Sequence, residues 1–271
     1  LNTIVQRLDG TIYDLEQIGI TTRDFNPLSP SYRHNSISGV RQYGDIDAGT
    51  TQGARIIKCK FYLKAYDKIS YVMHRDEVFR IFRSEEAFYI IDTRNPGKRW
   101  LVKCNSEFEI DQKRIYGFFD IDFITFSPLA ESVISTSELF TFESNKLQIG
   151  MNLPTDKDVI YTHTTDTFEI YNAGDVAIDP REFPLLITFK GASTNLKIKN
   201  VTTNEEWAYT GTTAADDIIS LNRVRALKNE VSIFGNTNRK RISIAPGWND
   251  FIISGTEGIF EISFDFRFRY L

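Results

Sequence analysis

The chain has 271 residues, 41% hydrophobic and 25% charged, with a formal net charge of −4. That length accommodates one large or two medium domains and buries about three quarters of the unfolded surface, so the fold needs no disulfide or metal staple. The acidic balance gives no basic footprint for nucleic acid, and the 21 Phe and 12 Tyr favour strands over helices.

Residues 1–53 read as irregular. Thr11–Leu15 suggests a short strand after the Asp9-Gly10 turn, and Asp24–Pro30, with two prolines, reads as a connector. Ser36 to Gly53 carries Gly39, Gly44, Gly49 and Gly53. A long glycine-bearing stretch of this kind is either a functional arm or a mobile loop.

The pattern sharpens at Ile57, Cys59, Phe61, Leu63 and Ala65, which alternate with Lys58, Lys60, Tyr62 and Lys64. A period of two with a polar second face predicts a half-buried antiparallel strand. Asp67 is a plausible N-cap for a helix over about 68–83, with Ile69, Val72, Val78 or Phe79, and Phe82 near one stripe. A hairpin follows, Ala87–Ile91 and Trp100–Lys103 around Asn95-Pro96-Gly97. A further pair is expected near Glu107–Ile110 and along Ile115–Phe126, where Phe119, Ile121 and Phe123 face one way and Asp120 and Asp122 the other.

Leu129 to about Thr155 is less patterned, and we place a domain boundary in it near residue 130. Beyond it the strong signals are strands: Phe168–Tyr171, Leu185–Phe189, Leu196–Lys199, Arg241–Ile244, Phe251–Ser254 and Ile259–Leu271. The basic cluster Asn238-Arg239-Lys240-Arg241 reads as a solvated turn entering a strand. Short strands with frequent turn signals predict a β-sandwich.

Cys59 shares a strand face with Ile57, Phe61 and Leu63, and Cys104 shares one with Trp100 and Val102. Two such thiols read as buried and free in a reducing cytoplasm; a disulfide between them would need facing Cβ atoms. No apolar stretch approaches the ~20 residues of a spanning helix, and Leu1–Val5 has no signal-peptide pattern, so neither membrane insertion nor export is expected.

Ile170-Tyr171-Asn172-Ala173-Gly174-Asp175 leading into Ile178-Asp179-Pro180, then Leu196–Asn200, Trp207, and Pro246-Gly247-Trp248-Asn249-Asp250 with Phe251–Ser254 and the turn Gly255-Thr256, resembles the C-terminal module of distal tail proteins (Dit). These belong to long-tailed bacteriophages, siphophages, that mostly infect Gram-positive bacteria. The first half is similar too, with Ser38-Gly39-Val40-Arg41, the strand Ala54–Leu63, the helix after Asp67 and the closing Phe126-Ser127-Pro128. The resemblance covers roughly residues 36–271. It implies a mainly β chain: residues 1–130 as a ring-forming split β-barrel with one packed helix, and residues 131–271 as a galectin-like β-sandwich.

It also implies a structural baseplate hub protein of the virion, placed at the distal end of the tail and assembled in the host cytoplasm. Its partners would be itself, in a homo-hexameric ring, the tail tube protein, and a tail-associated lysin or receptor-binding protein. Neither an enzymatic activity nor a cofactor follows from it. The Ser36–Gly53 arm is the candidate ring contact. Arg41 and Tyr43 are residue types enriched at interface hot spots, and glycines such as Gly44, beside Asp45, let backbones approach closely. Exposed edge strands offer a second mode of self-pairing.

Chemistry is sparse. His34, His74 and His163 show no metal-ligand spacing, and they read as surface or hydrogen-bonded structural residues. Asp120 and Asp122 mimic a glycosidase pair but alternate as carboxylates on a wet strand face do. Gly44–Gly53 lacks the Lys-Ser/Thr ending of a phosphate loop, and Asp45, Asp47 and Asp111 form no calcium register. No catalytic, cofactor-binding or metal-binding residue is therefore expected. The alternative to a tail ring is a carbohydrate-binding sandwich recognising host cell-wall glycans, with Trp207 or Trp248 stacking on a sugar ring.

Overall fold

The computed structural model describes residues 1–40, 43–138, 150–155 and 157–271. Two compact units emerge, Leu1–Ala130 and Glu131–Leu271.

The first unit holds β1 (Thr3–Arg7), β2 (Ile12–Asp14), β3 (Ile20–Pro27), β4 (Tyr32–Ser38), β5 (Asp45–Gln52), β6 (Arg55–Lys64), α1 (Lys68–Ile81), β7 (Phe88–Asp92), β8 (Lys98–Cys104), β9 (Asp111–Lys113) and β10 (Tyr116–Thr125). The expectation of an irregular first 53 residues is thus corrected, because five strands lie there. Antiparallel pairing runs β2-β1-β7-β8-β10-β6-β3, with β9 on β10. The path curls without closing: its end strands β2 and β3 do not pair. The buried Thr22 hydroxyl of β3 donates instead to the Thr3 hydroxyl of β1 at 2.9 Å.

The alternating face of β6 packs inward as expected, with Ile57, Cys59, Phe61 and Leu63 buried. Its other face explains the acidic pair on β10. Asp120 stands opposite Lys60 and Asp122 opposite Lys58, a cross-strand charge ladder that suits a solvated sheet face. Asp67 caps α1: its Oδ1 accepts from the amides of Ile69 at 3.0 Å and Ser70 at 2.7 Å, while its own amide donates to Ser70 Oγ.

Of the stripe expected for the helix, Val78 and Phe82 are buried, but Ile69 and Val72 are not. Tyr71, Val78 and Ile81 face the sheet, whereas Ile69 is 79% exposed, and Val72, Met73 and Phe79 also face out. Its last turn ends at Ile81, and Phe82, the C-cap residue, drives into a cluster of Phe61, Phe88, Phe108, Phe119 and Phe123. Cys59 is buried and Cys104 half-buried, both as free thiols. Burial raises the pKa of each, so neither is a reactive thiolate.

A short strand β11 (Ala130–Ser132) spans the division between the units. The second unit then holds β12 (Thr162–His163), β13 (Thr167–Asn172), β14 (Leu185–Asn200), β15 (Glu205–Ala208), β16 (Thr212–Thr213), β17 (Ile218–Asn222), β18 (Arg225–Lys228), β19 (Val231–Ser232), β20 (Gly247–Phe266) and β21 (Arg269–Tyr270). The long strands β14 and β20 pair from Leu185↔Phe266 to Asn200↔Phe251, with register shifts at Gly191/Ala192 and Ser193/Lys197.

The Phe251 and Phe264 rings, both on β20, lie 4.9 Å apart, although a straight strand would separate them by roughly 40 Å. The β14–β20 ribbon therefore folds over, and its two halves become the facing layers of a sandwich. The bend is at Gly255, whose φ of +86° is in the left-handed region and whose missing Cβ admits the Thr194 carbonyl oxygen. The expected turn at Gly255-Thr256 is thus a corner inside one strand rather than its end.

Three buried asparagines tie this unit together. Asn249 accepts at Oδ1 from the Ala245 amide at 2.8 Å and the Asn200 side chain at 3.1 Å, and donates to the carbonyls of Ala245 and Gly247. Asn200 also reaches the Ser243 carbonyl, and Asn172 that of Ile244. The segments 170–180 and 246–250, remote in sequence, are thus brought into one network, with Ile178 bridging Ile244. Asn249→Ala is expected to cost the second unit about 2–3 kcal/mol, because it leaves buried donors and acceptors without partners. Urea denaturation checks this, and a loss under about 0.5 kcal/mol would show that water replaces the amide without penalty.

Candidate assembly interface

Strands β4 and β5 pair only with each other, as a two-stranded sheet from Tyr32↔Gln52 to Ser38↔Asp45. Every residue of both strands is exposed on both faces. A lone hairpin is marginally stable in water, so this one relies on local polar bonds. His34 Nδ1 lies 2.8 Å from Thr50 Oγ1, Ser36 and Ser38 donate to the Asp45 carboxylate, and the Gly49 amide donates to Asp47. The hairpin's two outer edges carry unpaired backbone groups, and its side chains include exposed Tyr32, Ile37 and Ile46. Backbone edges and apolar side chains without burial are what a partner chain can cover.

At the tip, Val40 and Tyr43 are essentially fully exposed. Gly44 has a φ of +79° and makes the turn into β5. Asp45 is engaged within the hairpin by the two serines. Arg41 lies outside the described residues. Sequence reasoning missed Ile37 and Ile46, and the outward side chains of Tyr66, Ile69 and Met73 near the helix. The only signal for the hairpin residues was Ile37 and Ile46 flanking a glycine-bearing tip.

The remaining candidates have structural partners. Trp207 is 3% exposed and forms part of the wall of a cavity in the second unit. Trp248 is half-buried, with the Tyr171 ring at 4.8 Å and Lys157 Nζ 4.3 Å from its centre. His163 stacks on Phe168 at 4.4 Å, and burial lowers its pKa. Among the described residues no group of three His, Cys, Asp or Glu could hold a metal, and no helix is long and apolar enough to cross a membrane.

Residues 13–125 match the family described as phage tail protein RIFT-related domain. That match lies within the N-terminal unit. The whole chain has the fold of the SPP1 Dit (gp 19.1) protein, with a TM-score of 0.69 at 10% identity over 98% of this chain and 99% of that one. That protein is described as a paradigm of hub adsorption apparatus in Gram-positive infecting phages. Chains of the phage P2 baseplate in its activated conformation, with Ca and with Sr, are similar at TM-scores of 0.49 and 0.48 and identities of 10% and 9%, each over 98% of this chain and 97% of theirs. No curated protein matches the chain in sequence.

Proposed function

We propose that this chain is the distal tail protein of a long-tailed bacteriophage, a structural hub in which six copies close into a ring. The observation that carries the reading is the end-to-end likeness to SPP1 Dit, over 98% of one chain and 99% of the other. The ring joins the tail tube protein on one side to a tail-associated lysin or receptor-binding protein on the other. The protein assembles in the host cytoplasm and becomes part of the virion at the distal end of the tail. The second unit is a galectin-like sandwich. Heterologous contacts that close generate such a ring, and the fully exposed hairpin supports a contact in which one copy's arm lies on its neighbour.

The purified protein is expected to show a discrete closed mass, six times that of the chain, by native mass spectrometry or light scattering. A monomer that also fails to join purified tail tubes would sink the proposal. Tyr43→Ala is expected to weaken ring assembly roughly tenfold or more, in line with loss of an aromatic hot spot, with the monomer still folded. The same is expected of Arg41→Glu. Wild-type ring yields from both variants would remove the hairpin tip from the interface.

A further inference from the structure

In the second unit a cavity of about 170 Å³ opens among the β17–β18 hairpin, the Pro180-Arg181 turn and the chain from Phe234 to Ile242. Its wall is apolar, built from Leu185, Ile187, Trp207, Leu221, Ala226 and Ile242. Around that wall stand Arg181, Arg223, Arg225, Arg239, Lys240 and Arg241, and among the described residues no acidic one lines the cavity. In a chain of net charge −4, this is a concentration of charge opposite to the average. The basic run 239–241, expected to be a plain solvated turn, contributes three of the six.

Nearby groups offset only part of that charge. Arg181 and Arg241 share Asp179, at 2.7 and 3.5 Å. Arg223 donates to the carbonyls of Pro180, Arg181 and Glu182, which fixes its guanidinium and leaves its charge uncancelled. Arg239 lies 5.7 Å from the centre of the Phe234 ring. Arg225, Arg239 and Lys240 have no carboxylate partner among the described residues. Arg223 and Arg239 hold left-handed backbone, with φ of 56° and 58°, where glycine or asparagine would be less strained. A more open depression beside the cavity shares Arg239, Lys240 and Arg241 but includes Glu205 and Glu206, so the uncompensated charge is focused on the first.

We propose that this cavity binds a phosphate ester, with the phosphate held by Arg225, Arg239 and Lys240 and the organic portion against the apolar wall. Several separate cations suit a group with up to two charges and three free oxygens. An apolar wall with a few convergent polar groups is the usual build of a small-ligand site. A compact cavity suits a small head group better than an acidic peptide, which would need an extended groove. The site lies within one unit and works whether or not the chain forms a ring.

The test is calorimetric titration of the full chain at low salt with glycerol 3-phosphate, inorganic phosphate, glycerol and a glutamate-rich peptide. Glycerol 3-phosphate is expected to bind at least threefold more tightly than inorganic phosphate, and glycerol not at all. Arg225→Glu with Lys240→Glu is expected to weaken binding at least tenfold at an unchanged melting temperature, since both side chains are exposed and unpartnered. Arg225→Gln alone, which adds no acid, is expected to weaken it about threefold, less than the loss of a good charge-assisted bond. Absence of phosphate binding, binding indifferent to these variants, or preference for the acidic peptide would each overturn the assignment. Equal affinity for inorganic phosphate and its ester would overturn the role of the apolar wall.

Discussion

Replacing the hairpin Tyr32–Gln52 with two glycines is expected to abolish self-assembly while shifting the melting temperature by no more than about 2 °C. The folded unit loses nothing from its interior, because no residue of either strand is buried. The ends are already joined: the Gly53 amide donates to the Ser31 carbonyl at 2.7 Å, and Ser31 Oγ donates to the Ala54 carbonyl at 2.8 Å. A two-residue closure therefore meets an existing turn, and shortening the loop lowers the entropy cost of closing it. Light scattering and a thermal melt on one sample decide the matter. A closed oligomer surviving the deletion would remove the hairpin from the interface. A fall in melting temperature of about 10 °C or more would show that the hairpin supports the fold.

Phe82→Ala is expected to cost the first unit about 3–5 kcal/mol, the range for emptying a buried aromatic site. Phe82 is 2% exposed and caps the only α-helix among the described residues. Its ring lies 5.6 Å from Phe61, 5.7 Å from Phe123 and 6.3–6.4 Å from Phe88, Phe108 and Phe119. The helix thus holds the sheet through the residue just beyond its last turn as well as through Tyr71, Val78 and Ile81. Phe82→Leu keeps most of the volume and is expected to cost about 1–1.5 kcal/mol. Chemical denaturation followed by far-ultraviolet circular dichroism measures both. Equal, small losses would mean that the five surrounding phenylalanines repack without the sixth.

The class of fold was legible where burial imposes a period. Strand β6 shows it most clearly, with Ile57, Cys59, Phe61 and Leu63 buried and Lys58, Lys60 and Lys64 exposed. The helix was legible in position through Asp67 and, at Val78 and Phe82, in orientation, but its first turns were not. Ile69, Val72 and Met73 are as apolar as Tyr71, Val78 and Ile81, so periodicity alone does not separate wet side from dry. The hairpin was visible only as a glycine-bearing stretch. A sheet that buries neither face exerts no selection for alternation, and its register comes from pairing that sequence spacing does not reveal. The Asn172 and Asn249 motifs carried the resemblance, yet their physical cause is a three-dimensional network of amides. The cavity cations stayed hidden because Arg181, Arg223 and Arg225 lie far along the chain from Arg239–Arg241.

The folded-over ribbon has a consequence for the order in which the molecule is made. All the strands of the first unit except β11 are encoded by residue 125, so that unit, with its hairpin displayed, has what it needs while the rest is still being synthesised. The sandwich has no such early option. Its strands β12, β13 and β14 all pair with β20: β13 can complete its pairing once Ile252 is made, whereas β12 and the start of β14 wait for residues 262–266. During that interval the nascent chain carries a first unit whose strands are all made beside an unfinished one with exposed strand edges, and its hazard is a mistaken pairing between neighbouring nascent chains.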